Sequence, residues 1–225
     1  MNEIKNYGLK LNVLEDPKAW KLGAVELPKE VLVASGQWDE FLPRDEMQFT
    51  PSYDTYGCTV YGTENIQQTL ERRKFSNSKE YSERYNYNLA KINPPGADPH
   101  DVAEIFRLNG VIEYDLLPIV PTLPEYMKPR PVPSKYTMLG LKHPYELRHQ
   151  WLWSKSVSKE KRDVLIKEHL RYSPLGVSVT AWQERDGVYI DNGMSNTHWT
   201  MLYGWTDKGW KIYDSYAPHK KLLSF

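Results

Sequence analysis

The chain has 225 residues, of which 26% are charged and 40% hydrophobic, the composition of an ordinary globular protein. Lysine plus arginine and aspartate plus glutamate each number 29, so the formal net charge is zero and gives no support to a nucleic-acid-binding or anionic-membrane-binding surface. No apolar run approaches the roughly 20 residues that a membrane-spanning helix needs, and a single cysteine excludes an internal disulfide.

The N-terminal half of the chain has the patterns of helices more than of strands. Residues 1–50 are irregular, apart from a short strand predicted at KEVLVAS. A helix is predicted from Gly57 to about Arg73, because four residues recur on one face at helical spacing. These residues are Thr59, Thr63, Ile66 and Leu70. A second helix is predicted within EYSERYNYNLAKI.

Residues 98–110 carry both the start and the stop signals of a helix. Asp98 is a suitable N-cap, proline follows it at the first helical position, and Gly110 ends the segment. Six prolines then lie between residues 118 and 133, and they predict an extended crossing between two halves of the chain, because proline lacks an amide donor. Another helix, capped by Ser158, is predicted within SKEKRDVLIKEHL.

The C-terminal third changes from helical to alternating periodicity. PLGVSVTAW and HWTMLYGW alternate along their length, and WKIYDSY resumes the strand pattern after the turn-like TDKG. Helices followed by antiparallel strands predict an α+β domain.

Cys58, the only cysteine, lies at the predicted start of a helix. A helix N-terminus offers unsatisfied amides and about half a positive charge, and both stabilise a thiolate. Gly57 before it would let a substrate carbonyl approach the backbone. These features favour a nucleophile, whereas the alternative is a small hydrophobic residue buried in the core.

His198 and Asp214 are the predicted partners of this thiol. His198 opens a strand directly after the polar loop DNGMSNT, where a rigid scaffold can display a catalytic group. If HWTMLYGW and GWKIYDSY form a hairpin, a five-residue loop would set Asp214 opposite His198, and a two-residue loop would displace it by about three residues. Either arrangement would let the carboxylate orient the imidazole. The alternatives are a histidine bonded to a carbonyl and an aspartate that ends a strand.

In this order and spacing the residues resemble the papain-like cysteine peptidases. Cys58 opens a helix, His198 follows 140 residues later in THWTMLYGW, and Asp214 follows in WKIYDSYAP. DVAEIFRLNGVIEYDLLP is similar to the family's helix and glycine region, and SPLGVSVTAW to the strand before its histidine. The order of nucleophile, base and orienting residue is also similar to that of the double-glycine leader peptidases.

The resemblance implies one two-lobed α+β domain with a cleft between a helical lobe and an antiparallel sheet or barrel. Its expected parts are an N-terminal extension at 1–50, a helical lobe at 51–117, a proline-rich crossing at 118–142, and a helix with the β lobe at 143–225. The resemblance further implies Cys58 as nucleophile, His198 as general base and acid, and Asp214 as orienting residue. The expected reaction passes through a thioester acyl-enzyme that water then hydrolyses.

The sequence departs from the family pattern at several positions. Ser52 stands where the oxyanion glutamine is expected, six residues before the nucleophile. Ser52, or an adjacent side chain such as Tyr53 or Thr55, is therefore the expected oxyanion donor, together with the backbone amide of Cys58. Aspartate replaces the usual asparagine of the triad. The expected substrate-binding positions are Gly57, Gly96 and Trp199, while Tyr114 and Trp182 are further candidates for the pocket or the core.

The resemblance leaves three functional interpretations. The leading one is a peptidase that acts on a peptide or protein substrate, with no metal, no cofactor, and no nucleic-acid or membrane partner. The alternatives are a cell-wall amidase or isopeptidase of the same fold, and a catalytically inactive module that binds a peptide or a structural partner. The expected location is cytoplasmic or virion-associated, because neither a signal sequence nor a disulfide can be read from the chain.

Overall fold

The computed structural model describes residues 8–10, 30–77, 79–94, 96–130, 148–152, 157–190 and 196–225. Its α-helices in these ranges are α1 (Cys58–Phe75), α2 (Glu83–Leu89), α3 (Pro99–Asn109), α4 (Leu123–Met127) and α5 (Lys159–His169). Single turns of 3-10 helix lie at Asp39–Phe41 and Tyr114–Leu116. The strands are β1 (Leu175–Val179), β2 (Glu184–Arg185), β3 (Val188–Tyr189), β4 (His198–Trp205), β5 (Trp210–Tyr213) and β6 (Lys220–Leu223).

The strands form one sheet in the order β1-β4-β5-β6-β3-β2. All neighbours are antiparallel except β3 and β6, which run parallel. Val179 pairs with His198, so the predicted base stands at the beginning of β4 and opposite the end of β1. Helices first and an antiparallel sheet afterwards confirm the predicted α+β class.

Two separate hydrophobic clusters form the main core. One lies between the sheet and α5 and contains Trp38, Leu170, Met201 and Ile212. The other lies among the helices and contains Val60, Tyr87, Val102 and Phe106. Helix α1 belongs to both regions, because Val60 faces the helical cluster while Ile66 and Leu70 pack on the sheet cluster. This central position carries its first residue, Cys58, to the sheet.

Local capping signals were reliable guides to the helices. Asp98 accepts a hydrogen bond from the amide of His100, and Ser158 accepts one from the amide of Lys161, so both predicted N-caps are confirmed. Helix α1 follows its predicted range closely. Helix α2 is shorter than its predicted segment and begins after Ser82, whose side chain caps it.

Two predictions in irregular regions need correction. The strand predicted at KEVLVAS is wrong for residues 30–35, because the amides of Leu32 and Val33 donate to the carbonyl of Arg171 and the chain turns before Gly36. The proline-rich crossing is not extended throughout, since Thr122 caps the short helix α4 and proline is tolerated in a first helical turn. Residues 131–142 of that crossing lie outside the described ranges. In the described part of the chain, no helix combines the length and the apolar character required to cross a membrane.

Candidate active site

Cys58 is the first residue of α1 and is completely buried. The backbone amides of Thr59 and Trp199 donate toward its sulfur, which brings the thiol directly beside the residue that follows His198. Burial nevertheless raises the pKa of the Cys58 thiol well above its usual range, and the charges of Asp214 and Asp54 raise it further. Burial therefore favours the neutral thiol over the thiolate in the resting site.

His198 and Asp214 meet inside the protein, where both are almost fully buried. His198 Nε2 lies 2.5 Å from Asp214 Oδ1. Burial opposes ionisation of Asp214, but His198 and Lys221 outweigh it and leave the pKa of the carboxyl below its ordinary value. Since an ionised carboxylate only accepts, Nε2 carries the proton of this hydrogen bond. Proton exchange with a neighbouring group therefore falls to Nδ1.

The β4–β5 hairpin brings these two residues together in a register between the two predicted ones. Trp205 pairs with Trp210 around a four-residue loop, and a bulge at Tyr203 shifts the ladder so that Met201 faces Tyr213. Asp214 directly follows β5 and its amide donates to the carbonyl of His219, which fixes the start of the next turn. The structure thus places the carboxylate within reach of His198, as predicted.

Aromatic rings enclose the imidazole of His198. The Trp182 ring packs edge-on at a centroid distance of 5.3 Å, and the Tyr216 ring lies at 5.5 Å. These contacts hold the ring plane while the hydrogen bond to Asp214 fixes the tautomer. Orientation by packing and by a carboxylate is the arrangement that a general base requires.

A buried amide, Gln48, joins this region to the loop before α1. Ser215, which follows Asp214, donates a 2.7 Å hydrogen bond to Gln48 Oε1. Gln48 Nε2 donates to Tyr216 Oη over 2.8 Å and to Asp54 Oδ1 over 3.1 Å. Tyr216 Oη in turn donates to Asp54 Oδ2. Because the charges of Asp54 and Cys58 both act on Tyr216, this amide lies in the polar surroundings of the thiol.

No protein-family model and no curated protein sequence matches the chain. Solved structures do match it. The cysteine protease xylellain from Xylella fastidiosa has a TM-score of 0.62 and 16% identity, over 99% of this chain and 90% of xylellain. The Carica candamarcensis cysteine protease CMS1MS2, solved with E-64, has a TM-score of 0.59 and 12% identity, over 84% of this chain and 87% of that one.

A third structure comes from work on the mite allergens Blo t 1 and Der p 1. It has a TM-score of 0.56 and 15% identity, over 92% of this chain and 70% of the other. The chain has the papain-like fold. At these identities the likeness establishes the architecture, and the chemistry has to be argued from the site itself.

Ser52, the predicted oxyanion donor, is not one of the buried polar residues of this region. Ser52 is exposed in a turn, and its amide donates to Thr50 Oγ1. Gln48, ten residues before Cys58, is a buried amide side chain that bonds Ser215 and Tyr216, the two residues after Asp214. The sequence-based interpretation missed it because it looked for an amide six residues before the cysteine.

The predicted substrate-binding residues make close contacts within the papain-like fold. A Cβ atom at Gly57 would lie 3.0 Å from Thr55 Oγ1 and 3.2 Å from the Tyr87 ring. Gly96 has φ +133°, and a side chain there would collide with the backbone of Gly8, which pairs alongside. Trp199 is buried against Gly62 and Gly176. Their roles toward a substrate remain predictions.

Among the described residues, one cluster of three glutamates has its carboxylate oxygens close enough together to hold a metal ion. Glu46, Glu64 and Glu83 bring oxygens within 4.8 Å of one another. Burial first, and then the neighbouring Glu46, raises the pKa of both Glu64 and Glu83. Burial therefore favours the neutral form of Glu64 and Glu83, in which carboxyls can share protons with one another.

Proposed function

We propose that the chain is a cysteine peptidase that hydrolyses peptide bonds through Cys58, His198 and Asp214. The observation that carries the proposal is the 2.5 Å contact between His198 Nε2 and Asp214 Oδ1. His198 is the first residue of β4, and the backbone amide of the next residue, Trp199, donates toward the Cys58 sulfur. Nucleophile, base and orienting group on separate rigid elements are the arrangement of a catalytic triad.

The burial of the thiol decides how the first step proceeds. Because burial raises the pKa of Cys58, the thiol keeps its proton until a substrate carbonyl is in place. Its sulfur then attacks the carbonyl carbon as His198 Nδ1 takes the proton, and the carbonyl π electrons move to the oxygen. The imidazolium that forms is stabilised by Asp214 through Nε2.

The second half of the reaction returns the enzyme to its starting state. Collapse of the tetrahedral intermediate breaks the C–N bond, and the imidazolium gives its proton to the leaving amine. His198 next removes a proton from water as the oxygen attacks the thioester carbon. The carbon–sulfur bond breaks, the acid product leaves, and the thiolate recovers the proton from the imidazolium.

For the oxyanion we propose the backbone amide of Cys58 together with the side-chain amide of Gln48. Gln48 is held by Ser215 through its carbonyl oxygen, and its amino group donates to Tyr216 Oη and Asp54 Oδ1 in the resting protein. In this role one of those two N–H groups would turn to the oxyanion when substrate binds. A side-chain amide that redirects one N–H in this way would stabilise the developing negative charge. Ser52 is the earlier prediction for this role, and comparison of the two single variants distinguishes them.

The complete burial of Cys58 supports a second candidate, a papain-like fold that binds a peptide without cleaving it. In that case the thiol would be a packing residue in contact with Leu9 and Trp199. Such a protein would react with electrophiles no faster than a buried free thiol does.

Covalent labelling followed by mass spectrometry tests the two functions against each other. The full chain is treated with iodoacetamide or E-64 at neutral pH, alongside His198→Ala and the control His169→Gln, which alters a histidine that is bonded to Leu165 in α5. A peptidase labels rapidly at Cys58, loses the rapid phase in His198→Ala and keeps it in His169→Gln. Slow labelling that is equal in all three proteins would leave the binding module as the better account. A panel of peptides, isopeptides and cell-wall peptides then identifies the scissile bond.

A further inference from the structure

Lys221, in β6, carries a buried positive charge next to the candidate site. Its side chain is 1% exposed, and lysine is almost never buried this deeply unless it is paired. Its Nζ lies 2.6 Å from Asp214 Oδ2, 2.5 Å from the carbonyl oxygen of Tyr216 and 2.6 Å from that of Pro218. Three acceptors match the three N–H bonds of an ammonium group, so the nitrogen is protonated.

The two oxygens of Asp214 are divided between two partners. Oδ1 accepts from His198 and Oδ2 accepts from Lys221. Lys221 Nζ also lies 5.0 Å from the centre of the Trp182 ring, and that ring packs on His198. Lys221 therefore contacts two of the groups that orient the imidazole, although it does not contact the imidazole itself.

We propose that Lys221 is a positioning residue of this site, which neutralises Asp214 and holds its carboxylate with Oδ1 toward His198. The inference rests on the proposed function and extends it. An aspartate paired with a buried ammonium presents no net charge to the histidine. The pair orients His198 while stabilising the imidazolium less than an uncompensated carboxylate would.

Several charged groups among the described residues determine the net charge that His198 experiences. Asp214 faces the ring from the end of β5 and Lys221 faces Asp214 from β6. Cys58 approaches from α1, and Tyr216 with Asp54 closes the side toward the loop before α1. With Asp54 and Asp214 both near the thiol, Lys221 offsets negative charge that would otherwise oppose formation of the thiolate.

The decisive measurement is the titration of the His198 ring followed by NMR in the full-length protein. It is made in a Cys58→Ala background, so that no thiol proton is coupled to the imidazole, and the signal is assigned by its loss in His198→Gln. Lys221→Met keeps an unbranched side chain, one heavy atom shorter, and removes its charge. We expect the ring signal to change over a higher pH range in this variant than in the Cys58→Ala parent, since the carboxylate then acts alone. Lys220→Met, which alters the exposed neighbouring residue, is expected to leave the titration unchanged.

An unchanged His198 titration in Lys221→Met would overturn the proposal, even if the variant were less stable. This measurement needs no turnover, so it fails or succeeds independently of the peptidase activity tested above. A structural ion pair alone would change the melting temperature without moving the titration.

A second variant covers the case in which Lys221→Met does not fold. The pair Asp214→Asn with Lys221→Met is neutral and close in shape to the original pair, whereas each single variant leaves one charge buried and unpaired. We expect the double variant to fold and to label at Cys58 faster than Asp214→Asn alone. A double variant that is no more stable and no more reactive than both single variants would contradict the coupling that the proposal requires.

Discussion

Ser215 donates a 2.7 Å hydrogen bond to the side-chain oxygen of Gln48 and thereby ties the loop before α1 to the residue that follows Asp214. The bond joins residues 167 positions apart in the sequence. It fixes the Gln48 carboxamide with its amino group toward Tyr216 and Asp54. The same bond therefore sets the direction in which the Gln48 amino group points.

Replacing Gln48 by alanine is expected to lower kcat for a cleavable peptide by about 100- to 1000-fold, the usual cost of one oxyanion donor. KM should change less, because the donor acts mainly on the transition state. The matched control is Ser52→Ala, an exposed residue in a turn, which should keep the normal rate. A rate that falls with Ser52→Ala and survives in Gln48→Ala would restore the serine to this role. Urea unfolding of both variants separates lost chemistry from lost folding.

Leu9 packs against Cys58 and Trp199 in a small cluster of buried residues. Leu9→Ala removes part of this cover, so we expect iodoacetamide to label Cys58 several-fold faster than in the original protein. The comparison variant is Leu108→Ala, in which a leucine that is 54% exposed is truncated. Equal labelling rates in the two variants would mean that Leu9 does not control access to the thiol.

Because the carboxyls of Glu64 and Glu83 are buried, we expect the free energy of unfolding to fall as the pH rises. Burial first, and then Glu46, raises the pKa of both groups above the ordinary value of 4.5, while Gln68 partly offsets the effect at Glu64. A raised pKa in the folded state means that the stability contribution is complete below about pH 4.5. It is then lost progressively as the pH rises toward the folded-state pKa. Each unit of difference corresponds to about 1.4 kcal/mol.

Glu64→Gln should therefore raise the free energy of unfolding at pH 8 and change it little at pH 4. The amide can still accept the hydrogen bond that Gln68 donates to Glu64 Oε1. Glu40→Gln, at an exposed position, should show no such pH-dependent gain. Urea unfolding at the two pH values measures the effect, and an equal change at both would rule out the buried proton as its cause.

The parts of the fold that were predictable depended on local signals. Asp98 followed by proline specifies the start of α3 whatever surrounds it, and Ser158 does the same for α5. The alternation in HWTMLYGW likewise identified β4, even though all but its last residue are buried. The strand predicted at KEVLVAS failed because the amides of Leu32 and Val33 bond to a loop more than 130 residues away.

For the candidate site, the sequence could predict only residues whose chemical type and order along the chain carry a signal. Cys58, His198 and Asp214 are chemically distinctive, and a hairpin brings the last two together. The bulge at Tyr203 sets the register between β4 and β5, and the alternating sequence pattern does not predict this bulge. Gln48 and Lys221 were missed because their proposed roles depend on tertiary contacts. A lysine in KKLL gives no sign that β6 will turn it inward toward Asp214.

The Trp199 ring packs between Gly62 of α1 and Gly176 of β1. This contact predicts that a larger residue at Gly176 lowers the free energy of unfolding. A Cβ atom at Gly176 would lie 2.1 Å from Cζ2 of the Trp199 ring, and one at Gly62 would lie 2.9 Å from Cδ1. Gly176→Ala must therefore displace a buried ring, and we expect it to cost about 1–3 kcal/mol of unfolding free energy. Because the amide of Trp199 faces Cys58, the labelling of Cys58 should also change.

A double-variant cycle with Trp199→Phe tests whether this contact is the cause. The smaller ring lacks the atoms that a Cβ at Gly176 would strike, so Gly176→Ala should cost much less in the Trp199→Phe background than alone. Urea unfolding of the four proteins gives the coupling energy. If the cost of Gly176→Ala is the same in both backgrounds, its effect comes from the backbone of β1 and not from the tryptophan that separates β1 from α1.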